Sequence, residues 1–121
     1  MTHSPPKQVQ KAVNALLTKP GVTTPQLRQA IEARAARLSG GDRTPQEIPR
    51  EIPLDLIEYV DKVISDPHKV TDEDVERLKA AGYSEDAIFE ITLCASVGCG
   101  MARLERGLRL LERTGDAPPD S

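Results

Sequence analysis

Thr71–Leu111 reads TDEDVERLKAAGYSEDAIFEITLCASVGCGMARLERGLRLL, and this stretch decides the fold. It divides into a short helix, a glycine turn and a long helix. Thr71 is an N-cap type of residue, and Asp72, Glu73 and Asp74 follow where the helix dipole favours negative charge. Val70 and Val75 have the spacing of a hydrophobic staple, and Gly82 after Ala80-Ala81 fits the left-handed residue that ends a helix. The same grammar then repeats, with Ser84 as cap, Glu85 and Asp86 in the first turn, and Tyr83 with Ile88 as staple. From there Ile88, Phe89, Ile91, Leu93, Val97, Met101, Leu104, Leu108 and Leu111 recur at helical period. That apolar face is too broad for a surface helix. Arg103, Arg106, Arg109 and Arg113 load the C-terminal end with the charge the dipole prefers.

Working outward, the pattern predicts an all-α fold with helices near 6–18, 25–38, 53–65, 72–81 and 85–112. Val9, Ala12, Val13, Leu16 and Leu17 mark the first face, and Lys19-Pro20-Gly21 stops it. Thr24 caps the second helix with Pro25 at its first position; its face is Leu27, Ala30, Ile31, Ala35 and Leu38. Thr44–Glu47 reads as a capping box cut short by Pro49. The third helix buries Leu56, Ile57, Val60, Val63 and Ile64 and ends at Asp66-Pro67. No stretch alternates as a strand does. Val9–Leu27 and Leu56–Val75 echo one another as helix, proline turn, Val-Thr, helix. Two readings of the echo stand: a duplicated helical hairpin, or two capped hairpins that look alike.

With 121 residues the chain is expected to be a single helical domain over 1–121, with loose ends at about 1–4 and 114–121. The start, MTHSPPKQ, does not read as a signal peptide, and the sequence suggests no apolar run long enough to span a membrane. A net charge of -3 and a single Phe with two Tyr offer neither a basic field nor a base-stacking surface for nucleic acid. Two cysteines make no disulfide framework, so a reducing, cytoplasmic setting is the expectation. No cofactor and no metal-ligand spacing is expected.

The run Leu56–Leu111 resembles the C-terminal part of the alkylhydroperoxidase D (AhpD)-like and carboxymuconolactone-decarboxylase-like family. The resemblance rests on DPHKVTDEDVERLKAAGYSEDAIFEI (Asp66–Ile91) and the Arg103-Leu104 that follows, within about half of the chain. It implies an AhpD-like multihelical bundle with a repeat-like core, assembled as a homo-oligomer. Active members use a Glu, a C-x-x-C pair and a His. This sequence departs from that pattern: Cys94 and Cys99 stand in C-A-S-V-G-C, and Arg103 occupies the position four after Cys99. His3 and His68 lie elsewhere, His68 in a turn.

Spacing bears on the thiols independently. Five residues of helix separate two Cα atoms by roughly 8–9 Å, beyond the ~7 Å limit of a disulfide. Two buried structural thiols, a working dithiol helped by Gly98 and Gly100, and a single reactive thiol are the three readings. Glu90 lies one turn before Cys94, as a proton acceptor or a surface residue, although a carboxylate there raises a thiol's pKa. Arg103 is the deepest member of the cationic stripe and the candidate for an anion-binding residue.

Cys94, Ala95, Ser96, Gly98, Cys99, Gly100 and Ala102 crowd small residues into mid-helix. Each such glycine costs ~1 kcal/mol relative to alanine. A helix packed closely on Ala95, Gly98, Cys99 and Ala102 would offset that; the alternative is a helix break at Gly98–Gly100. The functional expectation is an AhpD-like helical protein without the redox motif, working as an oligomeric binding or assembly module through its third and last helices. The alternative is a thiol-dependent peroxidase or carboxymuconolactone-decarboxylase-like enzyme using Cys94, Cys99 and Glu90.

Overall fold

The structure is a computed structural model that describes residues 5–41 and 52–115. Five helices make up the described chain, joined by turns, with no strand among the described residues. They are α1 (Lys7–Thr18), α2 (Pro25–Leu38), α3 (Leu54–Ser65), α4 (Asp72–Ala80) and α5 (Glu85–Gly115). The all-α expectation holds, with bounds within one residue except at the end of α5, which runs to Gly115. The expected loose end therefore begins inside a helix. The Thr44–Glu47 capping box and residues 1–4 and 116–121 lie outside the described residues.

The cap residues act as their chemistry dictates. The Thr24 hydroxyl accepts from the Leu27 N–H at 3.1 Å, with Pro25 behind it, and the Ser84 hydroxyl accepts from the Ala87 N–H at 3.1 Å. At α4 the exchange is reciprocal: Thr71 Oγ1 accepts from the Asp74 N–H, and the Asp74 carboxylate accepts from the Thr71 N–H at 2.8 Å. Asp74 also receives Lys62 Nζ at 2.9 Å, which ties α4 to α3. Gly82 has φ +105°, as the helix stop requires, and Gly40 after α2 has φ +90°. Between α3 and α4 a single 3-10 turn, Pro67–Lys69, carries an exposed His68.

The core forms around α2 and α5, the most extensive helix pair. α2 buries Ala30, Ile31, Ala33, Ala35 and Ala36, and also Arg28 and Glu32. Its alanines let neighbours approach on several sides, so it is the hub although its sequence is not its most apolar part. Leu38, expected in the core, is exposed as the last residue of that helix. α1 buries no residue fully; Val9, Val13, Leu16 and Leu17 are half-buried and Ala12 is exposed. α3 contributes Leu56, Tyr59, Val60 and Ile64, while Ile57 and Val63 are only partly covered. The two echoing hairpins have unlike places in this packing. α2 is central, whereas α4 buries only Asp74 and Leu78.

α5 is a continuous helix through Gly98–Gly100, so the alternative of a break there falls. Gly98 packs directly on α2, and Ala95, Cys99 and Ala102 beside it are buried, as the small-residue pattern suggests. A Cβ on Gly98 would run into the carbonyl oxygen of Glu32 and stand 2.7 Å from the Ala35 Cβ. α5 also corrects the sequence-based view of apolar runs. An 18-residue window within Glu85–Arg113 has a mean hydropathy of 1.4, so the helix passes for a membrane span by length and composition alone. Ile88, Ile91, Leu93, Val97 and Leu104 carry most of that value. Of that 18-residue window, 44% is buried within the fold.

Candidate functional site

α1 ends at Lys19 and α2 begins at Thr24, and the turn between them presents carbonyls and N–H groups to a polar cluster on α2 and α5. Arg28, one turn into α2, is only 3% exposed. Its guanidinium donates to the carbonyl oxygens of Leu16 and Lys19, the end of α1 where the dipole favours a cation. A third carbonyl, that of Thr23, is 3.4 Å away. Arg28 Nε has no hydrogen-bond partner and stands 3.9 Å from Glu90 Oε1.

Glu90 receives the other half of the same turn. Its carboxylate accepts from the Val22 N–H at 2.8 Å, the Thr23 N–H at 2.9 Å and the Thr23 hydroxyl at 2.6 Å. Burial raises the carboxyl's pKa, but the Thr23 and Val22 donors and the Arg28 charge together outweigh it and hold Glu90 below the usual carboxylate range. Glu90 is thus a clasp between α5 and the α1–α2 turn. Its lone pairs are engaged by backbone, which makes it a poor proton acceptor for a thiol.

Cys94 has no exposed surface and is a free thiol. Burial pushes it up to about 12; Arg28 lowers it in part, and Glu90 and Glu32 add to the rise. Thiolate is the nucleophile, so at neutral pH this sulfur is a small core group. Cys99 is also free and only 7% exposed, on the face of α5 that meets α2. Arg103 is exposed and, with Arg106, lines an open cleft against α2 and α3. Asp61 lines the same cleft, its carboxylate held by Arg34 at 2.7 and 2.8 Å. The cleft is therefore of mixed charge. A second cleft, between α3 and α4, is lined by Asp55, Glu58, Lys62, Asp74 and Arg77. Its groups pair internally, Lys62 with Asp74 and Asp55 with the Tyr83 hydroxyl. Among the described residues no group of three or more metal-ligating side chains comes together.

The outer face of α5 adjoins the first cleft at Arg103. Phe89, Leu93, Ser96, Gly100, Arg103, Gly107 and Leu110 follow one another at spacings of four and three, and all are exposed. Phe89 is 66% exposed, although it is the one phenylalanine of the chain. Among the described residues, a Cβ on Gly100 or Gly107 would meet nothing within 4 Å. Half-buried Val97, Met101, Leu104 and Leu108 border the row.

Sequence reading did not single out Arg28 and Glu32. The signal was present: they are i, i+4 on α2 and share the spacing of Ile31 and Ala35, so they had to enter the core with them. Nor did it separate the glycines that face α2 from those that face outward. No protein-family model, curated protein or solved structure matches this chain.

Proposed function

We propose that the chain is an AhpD-like helical assembly module without a thiol redox centre, and that it works through the outer face of α5. The observation that carries this reading is the pair of open glycines, Gly100 and Gly107, in a row with exposed Phe89 and Leu93. A mid-helix glycine costs ~1 kcal/mol against alanine. At Gly98 the approach of α2 accounts for that cost, whereas nothing in the described fold accounts for it at the other two. An exposed aromatic and leucine on the same strip point to association. The thiols support the reading from the other side, since Cys94 is buried and protonated and Glu90 is taken up by the α1–α2 turn. The family assignment rests on the Asp66–Ile91 pattern and belongs to the proposal.

Sedimentation at micromolar concentration tests it. A species heavier than the 13.2 kDa chain is expected, with peroxide consumption in the presence of a thiol reductant equal to that of Cys94→Ala/Cys99→Ala. A monomer at every concentration contradicts the assembly reading. Peroxide turnover abolished by either single substitution would replace it with the enzyme alternative.

A further inference from the structure

We infer that the occupant of the outer α5 face is a second copy of this chain, with the two α5 helices antiparallel and their two-fold axis near Gly100. The inference rests on the assembly reading above and names its partner and geometry. Alternating spacings of four and three keep a row on one side of a helix that crosses another at a shallow angle. Within this row Leu93 and Gly107 lie seven residues on either side of Gly100. In an antiparallel pair centred on Gly100, Leu93 of each copy meets Gly107 of the other, a large side chain over an open backbone. The two Gly100 residues meet at the axis, where the absence of a Cβ lets the helices come close. Phe89, eleven residues from the axis, reaches the last turns of the other helix, where Leu111 is 54% exposed.

A two-fold pair requires one surface that fits itself, and this row has both halves of the fit on one chain. A parallel pair would set Leu93 on Leu93 and leave Gly107 over Gly107 as a gap. Charge selects the same direction. Exposed Glu85 and Asp86 open α5, and exposed Arg113 lies near its end. Antiparallel packing brings the acidic first turn of one copy beside the Arg113 end of the other, and the helix dipoles oppose. Parallel packing sets like charge on like.

A nitroxide at Asp86→Cys in the full-length chain measures the arrangement, since both native thiols are buried. Twenty-eight residues of helical rise between the two labels correspond to about 42 Å. The same preparation carrying Gly107→Leu should keep its helical spectrum, because that site is open among the described residues. Its dimer dissociation constant should rise about tenfold or more. An association that persists with labels about 10–15 Å apart, or that ignores Gly107→Leu, overturns this pairing and leaves the assembly reading standing. A chain that stays monomeric, or that partitions into phosphatidylcholine vesicles in place of self-association, overturns both.

Discussion

Gly98 and Gly100 stand two residues apart on one helix and face opposite ways. Gly98 is shut in by the α2 backbone at Glu32 and the Ala35 methyl, whereas a Cβ on Gly100 would meet none of the described residues within 4 Å. The residue type is the same, and so is the penalty for placing it in mid-helix. The inner face of α5 shows what such a glycine permits: Cys94, Ala95 and Ala102 are fully buried there. The outer face keeps the same concession without a neighbour, beside an exposed Phe89. The difference teaches that a small residue has to be assigned to a face before it means anything.

The comparison can be broken most severely at Gly98. Gly98→Ala forces its methyl against backbone and should cost about 3 kcal/mol in urea unfolding. If it is tolerated, α5 and α2 are not as close as described. Next comes the clasp on the inner face. Glu90→Ala leaves the Val22 and Thr23 donors and the Arg28 guanidinium without their acceptor, and should cost about 2 kcal/mol. Dilute protein, below the range of association, is the sample for both.

The same clasp has a pH signature. Glu90 and Asp74 are both held below the usual carboxylate range, Asp74 by the Thr71 N–H first and then by Lys62. The unfolded chain binds protons there more readily, so their contribution is complete above the unfolded value of about 4. It is lost as pH falls through the folded values. Cys94 acts in the opposite direction: its value is raised from 9.0 to about 12, so its contribution is complete below about 9 and is lost as pH rises towards 12. Unfolding midpoints should thus fall at both ends, and Cys94→Ala should flatten the alkaline arm relative to wild type. An alkaline arm unchanged in that variant would place the sulfur in contact with water.

How much of this was legible follows from which forces act locally. The caps at Thr24, Thr71 and Ser84 and the stop at Gly82 were readable because capping involves neighbours in sequence. The inward role of Ala95, Gly98 and Ala102 was readable as one of two explanations of such a cluster, close approach or a helix break. Arg28 and Glu90 were not read as partners, because their acceptors and donors belong to a turn 67 and 68 residues from Glu90. Phe89 was read as core because periodicity ranks faces by composition. Which face α2 covers depends on the path of the chain through the α1–α2 turn. The spacing of Cys94 and Cys99 spoke against a disulfide and both thiols are free, whereas the depth of Cys94 depends on how α2 packs and was left open among three readings.

The smallest effects belong to the outer face. In dilute solution Gly100→Ala should stabilise the fold by about 1 kcal/mol, the reverse of Gly98→Ala. Phe89→Ser should shift it by less than about 0.5 kcal/mol, since that ring is mostly solvated in the single chain.

The most direct measurement is the thermal midpoint of wild type and Gly100→Leu as a function of protein concentration. A protein stabilised by its own association melts higher as concentration rises. Wild type should show that rise. Gly100→Leu should melt higher than wild type when dilute, because leucine is the better helix former at an open site, and should lose the concentration dependence. The two curves therefore cross. Parallel curves, or a wild-type midpoint that does not move with concentration, would contradict the claim that the outer face of α5 is built to meet another copy of itself.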